Sequence, residues 1–224
     1  MSWAKILDCG DAPLTFLDNT VALKQLEKAH KVVSGRKAKN PSKSQTPRII
    51  AFGGDHTTTL PALRSAASRW GKVSVIHFDS HLDTWDPKVL GGGITQYIPK
   101  GDLRNDVRCG FDMIKARDID RIGVDGVIKK IKERVQDTNV YISVDIDVLD
   151  PAFAPATGTA EVGGWTTREL LSILDGLEDL NVVGADVVEV APIYDNPGET
   201  TVLAAAEVVH SLLTLMVQKP VTST

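Results

Sequence analysis

Four apolar, largely β-branched runs recur along the chain, at residues 49–52, 73–78, 140–144 and 182–188. Their apolarity is continuous rather than alternating, which predicts strands covered on both faces, as in a parallel sheet. Residues 60–70, 124–135, 166–177 and 202–217 read as helices, and in the third of these Leu170, Ile173, Leu174 and Leu177 fall on one helical face. Alternation of strand and helix predicts an α/β fold. Residues 31–48 carry Lys31, Arg36, Lys37, Lys39, Lys43 and Arg48 among Ser, Asn, Gly and Pro without periodicity, and read as a solvated loop. No internal repeat divides the pattern, so one domain over residues 1–224 is expected.

Composition narrows the classes. With 224 residues, 42% of them hydrophobic and 24% charged, the chain is long enough for a sizeable core and is far from disordered compositions. A net charge of −4 lacks the basic excess that nucleic acid demands, so no nucleic-acid partner is expected. No uninterrupted apolar run of spanning length occurs, and Met1 to Cys9 lacks a signal-peptide core, which predicts no membrane partner and a cytoplasmic location. Cys9 and Cys109 form no CxxC pair and read as reduced structural thiols.

The polar residues that end the apolar runs are the informative ones. The first run leads into Gly53-Gly54-Asp55-His56, the second into Asp79-Ser80-His81-Leu82-Asp83, the third into Asp145-Ile146-Asp147, and the fourth stops at Glu189. On an extended backbone, positions 79, 81 and 83 share a side, as do 145 and 147. A lone strand-end Asp is commonly a turn former. Two same-parity groups of carboxylates on apolar strands are costly unless a cation sits among them. Parallel α/β sheets place their ligand crevice at the carboxyl ends of the strands, where all four motifs lie. Imidazole and carboxylate ligands without thiolate suit a borderline-hard divalent ion, Mn²⁺ first. Six candidate ligands, His56, Asp79, His81, Asp83, Asp145 and Asp147, exceed what one ion needs beside water. A binuclear site bridged by Asp79 and Asp145 is therefore expected, with hydrolysis as its reaction class.

These motifs, together with Asp150-Pro151, Ala154-Pro155-Ala156-Thr157-Gly158-Thr159 and Glu189-Val190-Ala191-Pro192, resemble the signatures of the ureohydrolase family of arginases and agmatinases from about residue 46 to 217. The wording is most similar to agmatinases and fungal guanidinobutyrases, and Asp8-Cys9-Gly10-Asp11 resembles an upstream agmatinase segment. The resemblance implies a three-layer α/β/α sandwich with a mainly parallel sheet, two Mn²⁺ per subunit, a homo-oligomer (trimer or hexamer), and hydrolysis of a guanidino compound, agmatine first, to urea and an amine. Carried over by position, His56, Asp79, Asp83 and Asp145 hold one ion, and His81, Asp79, Asp145 and Asp147 the other. Glu189 takes the guanidinium and Asp147 passes on a proton.

The sequence also departs from the family pattern. The family's Ser-His-Gly-like motif, whose His serves proton transfer, has no counterpart, since His30, His56, His77, His81 and His210 are the only histidines and none falls between Trp85 and Lys115. A strand and helix near residues 93–101 and the family's N-terminal strand are expected to be missing. Beside agmatine hydrolysis stand two alternatives: a guanidinobutyrase acting on 4-guanidinobutanoate, and a non-catalytic metal-binding homologue.

Overall fold

Four strands form in the computed structural model, which describes residues 3–83 and 110–222: β1 (Ile49–Phe52), β2 (Val73–Phe78), β3 (Asn139–Asp145) and β4 (Asn181–Val188). All pair in parallel, in the order β1-β4-β3-β2. Among the described residues five α-helices accompany them: α1 (Asn19–Ser34), α2 (Thr59–Trp70), α3 (Ile119–Val135), α4 (Thr167–Asp175) and α5 (Thr200–Gln218). The chain first crosses from β1 to the far edge at β2, then steps back through β3 to β4. Right-handed crossovers in opposite directions put their helices on opposite faces. Hence α2 packs with α1 on one face, while α3, α4 and α5 cover the other. The α/β/α sandwich expected from the sequence is the observed architecture.

Residue parity along the central strands sorts the two faces. Val140, Ile142 and Val144 of β3, with Ala185 and Val187 of β4, pack against Val127, Ile131, Leu170, Leu174, Val208 and Leu212. Tyr141, of opposite parity, meets Ala62 and Ala66 of α2. Helix α5 is apolar enough by length and composition to cross a membrane, but Val208, Leu212, Leu215 and Met216 are buried in this core, which accounts for its apolarity.

Three expectations need correction. Continuous burial holds for β3 and β4, but Phe52 of β1 is 74% exposed and Val75 of β2 44%; among the described residues both strands are sheet edges. The region expected to be a loop from residue 31 begins inside α1, which runs to Ser34. Asp18 caps the start of that helix, accepting from the Val21 N–H at 3.1 Å, and His30 and Ser34 bury its last turn. Arg48, taken as solvated, is half-buried: its Nη1 donates to the carbonyls of Val182 (3.1 Å) and Lys219 (3.0 Å), Nη2 donates to Met216, and its guanidinium lies 5.4 Å from the Trp3 ring. Residues 93–101, where an omission is expected, lie outside the described residues.

Candidate metal centre

Each strand hands its polar residues to a tight turn just past its carboxyl end. After β1, Asp55 caps a 3-10 turn at His56–Thr58, accepting from Thr57 N–H at 3.0 Å. After β2, Asp79 Oδ1 accepts from His81 N–H at 2.5 Å, folding the chain back on itself. After β3, Asp145 Oδ1 accepts from Asp147 N–H at 2.9 Å and opens the 3-10 turn Ile146–Val148. Each carboxylate thus spends one oxygen on its own turn and presents the other. Ser80 ties the turns together, its N–H donating to Asp147 Oδ1 (3.1 Å) and its hydroxyl to the Asp147 carbonyl (2.7 Å). The convergence anticipated from strand alternation is real, yet these turns produce it: β2 ends at Phe78, and Asp147 lies beyond the strand.

His56 Nδ1 lies 3.1 Å from Asp145 Oδ2 and 3.2 Å from Asp79 Oδ2 and from Asp83 Oδ2. His81 Nδ1 lies 2.9 Å from Asp147 Oδ2 and 3.5 Å from Asp79 Oδ1. All six expected ligands therefore come together, in two groups that share Asp79: His56, Asp79, Asp83 and Asp145, and Asp79, His81 and Asp147. Asp145 falls only in the first. His77, given no role from the sequence, joins a third overlapping group with His56 and Asp79, its Nε2 2.8 Å from Asp79 Oδ2.

The electrostatics of so many acids in a buried space are lopsided. Burial opposes a charge on His56, but Asp145, Asp79 and Asp83 outweigh it and push the imidazole up to about 12. Asp147 and Asp79 raise His81 to about 11. Burial alone would raise Asp79, yet His56, His77 and His81 hold its carboxyl well below the ordinary range. Burial, with repulsion from Asp147 and Asp79, pushes Asp145 up to about 7 despite the pull of His56. A nest of this kind is stable only with positive charge inside it.

Glu189 follows β4 with a left-handed backbone (φ 61°), and Asp83 has φ 48°; both are conformations that non-glycine residues adopt at a cost. The Glu189 backbone N–H donates to the Gly54 carbonyl (2.9 Å), and its Oε1 accepts from His56 N–H (2.7 Å). Burial raises its pKa. Thr159 Oγ1 donates to Asp147 Oδ2 at 3.3 Å, and Glu161 Oε1 lies 3.7 Å from His81 Nε2.

The donor set passes a direct test for a cation. Among the described residues, buried His56 Nδ1, His77 Nε2 and Asp79 Oδ2 have no hydrogen-bond partner, although the two nitrogens lie 3.2 and 2.8 Å from Asp79 Oδ2. Such orphaned atoms carry a desolvation penalty that a shared ion removes. Imidazole nitrogens and carboxylate oxygens suit Mn²⁺ or another borderline-hard divalent ion.

A sequence model of the arginase family matches residues 1–99 and 92–214. The chain belongs to the arginase family. A Schizosaccharomyces pombe protein named "Putative agmatinase 1" is 48% identical over 260 aligned positions, covering 98% of this chain. Those positions exceed the chain's 224 residues, so the alignment opens gaps in this chain. The chain spans 66% of that relative and 63% of a second from the same organism. An agmatinase of Photorhabdus laumondii is 39% identical, with 96% of this chain and 72% of that one covered. Among solved structures, proclavaminate amidino hydrolase from Streptomyces clavuligerus superposes with TM-score 0.82 at 33% identity, covering 95% of this chain and 76% of that one. The arginase family is metal-dependent, and the His and Asp groups above are where this chain could hold a metal.

Proposed function

We propose that this site hydrolyses a guanidino compound, agmatine first, to urea and an amine, using two Mn²⁺ ions. The observation that carries the reading is the pair of His and carboxylate groups that share Asp79, with the Glu189 carboxylate beside them. His56, Asp79, Asp83 and Asp145 would hold one ion, and His81, Asp79, Asp145 and Asp147 the other. Divalent ions bound there would supply Lewis acidity, lowering the pKa of water so that a nucleophile is available at neutral pH.

The chain's own groups do the remaining work. A guanidinium is a planar cation with a fork of N–H donors, and the free oxygen of Glu189 accepts from it while Oε1 stays on the His56 amide. That grip turns the guanidinium carbon toward the nest and fixes its distance. Asp147, fully buried and steadied by Ser80 and Thr159, is placed to accept the attacking water's proton. That proton leaves with the amine: one C–N bond breaks, one C–O bond forms, and water is divided between urea and amine.

Urea release by the manganese-loaded chain, assayed with agmatine, 4-guanidinobutanoate and arginine in turn, tests this reading; no urea from any of the three, with manganese bound, rejects it. One observation favours a second reading, a metal-binding homologue with little turnover: no histidine falls between residues 85 and 115 to protonate the leaving amine. Assembly as a trimer or hexamer and a cytoplasmic location belong to the same proposal.

A further inference from the structure

We infer that Asp186 is a positioning residue that, through Ser143, fixes which ring nitrogen of His56 faces the carboxylate nest. The inference rests on the metal-site reading above. Asp186 lies in the middle of β4, 1% exposed, and its register partner across the β3–β4 ladder is Ser143, also 1% exposed. Ser143 Oγ donates to Asp186 Oδ1 at 2.7 Å, and the Tyr141 hydroxyl donates to Asp186 Oδ2 at 2.8 Å. On its other side Ser143 Oγ is 3.0 Å from His56 Nε2.

Counting hydrogens settles the direction of the chain. Ser143 donates its single hydrogen to Asp186, so that hydrogen is spent. Toward His56 the serine has only a lone pair left, and Nε2 must carry the hydrogen. In the neutral ring that leaves Nδ1 bare, and Nδ1 is the atom 3.1 to 3.2 Å from Asp79, Asp83 and Asp145. Once the ring gives up its extra proton, that lone pair is a ligand for an ion held among the three carboxylates.

The surroundings are built to hold this relay. Tyr141 pairs in register with Gly184, where a Cβ would lie 2.8 Å from the tyrosine ring. Only glycine leaves room for the ring to lie along the sheet and reach Asp186. Tyr141, Ser143 and Asp186 thus form a buried polar strip on the α2 face, ending on His56.

Metal titration of the metal-free chain tests the assignment, with Mn²⁺ as the probe and calorimetry as the readout. In Asp186→Asn, the amide can donate to Ser143, whose hydrogen is then free to turn to Nε2. When the ring turns neutral to bind metal, its remaining hydrogen then sits on Nδ1 and blocks the lone pair. Loss of an outer partner of this kind lowers metal affinity about 10- to 100-fold. That loss should fall on one of two sites, the one containing His56, while the His81 side keeps near wild-type affinity. Ser143→Ala should behave the same way, and neither change should add to the loss in His56→Ala, since all three act on one ligand. Tyr141→Phe, which spares the Ser143 link, should lower thermal stability with little effect on Mn²⁺.

A folded Asp186→Asn with both affinities unchanged overturns the relay, as does equal weakening of both sites, or a loss additive with His56→Ala. If Asp186→Asn does not fold, Ser143→Ala decides by the same criteria. Absence of Mn²⁺ binding by the wild-type chain rejects the metal reading itself, and the relay with it.

Discussion

His56 Nδ1 stands 3.1 Å from Asp145 Oδ2 although the two residues belong to opposite sides of the sheet's sequence order, one following edge strand β1 and the other ending β3. Strand β4 lies between them, and its own end supplies Glu189. The centre is therefore a product of sheet order, and each ligand can be tested for which strand's contribution it represents.

Asp79 occurs in every group of donors that converge there. Asp79→Ala should abolish retention of both ions, whereas Asp83→Ala, which touches only the His56 group, should weaken one. Elemental analysis after manganese loading and desalting measures this. Two ions retained by Asp79→Ala would contradict a shared ligand.

Metal uptake should release protons. His56 and His81 rise from an ordinary 6.5 to about 12 and about 11, so in the metal-free chain both are charged at pH 8. Neutral imidazole is the ligand, so binding should expel about two protons at pH 8, and about one more from Asp145 below its value of about 7. Affinity and the manganese-induced rise in Tm should grow from pH 6 to 9. The sign for the metal-free chain is opposite: raised imidazole values give stability present in full below 6.5 and lost as pH climbs toward 11. Calorimetry in buffers of different ionisation enthalpy counts the protons; no release at pH 8 would be the contrary result.

Glu189→Gln keeps the size of the side chain and the bond to the His56 amide but removes the charge facing a guanidinium. Loss of about 10²- to 10³-fold in kcat/KM is expected, with metal content unchanged. Kinetics equal to wild type would take Glu189 out of the substrate site.

Arg48→Met should destabilise the chain without touching the centre. It leaves the carbonyls of Val182, Lys219 and Met216 without their donor and removes the cation over Trp3. A cost of about 2 kcal/mol is expected, or roughly 4 to 8 °C in Tm for a chain of this size. Thermal unfolding measures it, and an unchanged Tm would mean that water replaces the guanidinium freely.

Turnover should be low relative to manganese content. A positioned acid or base contributes about 10²- to 10⁴-fold, and no histidine lies between residues 85 and 115 to serve as one. Inserting a loop with a Ser-His-Gly-like motif between Gly93 and Gly101 should raise urea release, and the same loop with Ala for His should not. Rapid turnover by the unmodified chain would show that another group supplies the proton.

Sequence pattern revealed the sheet well because β3 and β4 are mostly apolar and buried, and it located the ligands because each apolar run ends on acids or imidazoles. It misplaced the cause. Asp79 and Asp145 bend their own backbones by accepting from the amides two residues on, and such turns leave no periodic trace. Residues 19–30 draw no assignment from the pattern, and the loop reading from Lys31 covers only the last turn of α1, which burial of His30 and Ser34 holds in place. The polar strip was legible in principle. Tyr141 and Ser143 share parity with Asp145 inside an otherwise apolar strand, yet their partner Asp186 belongs to a different strand, and only the β3–β4 register joins them.

Placing β1 beside β4 has a consequence for biosynthesis. Ile49 finds its neighbour Gly184 only after more than a hundred further residues have been made. At ribosomal rates that is a wait on the order of ten seconds, during which β1 lacks the β4 partner that sets its register. The nascent chain leaves β1 without that ladder, and without the cover of α5, until the last strand and helix have been made. Only then does His56 reach the acids already gathered by β2 and β3.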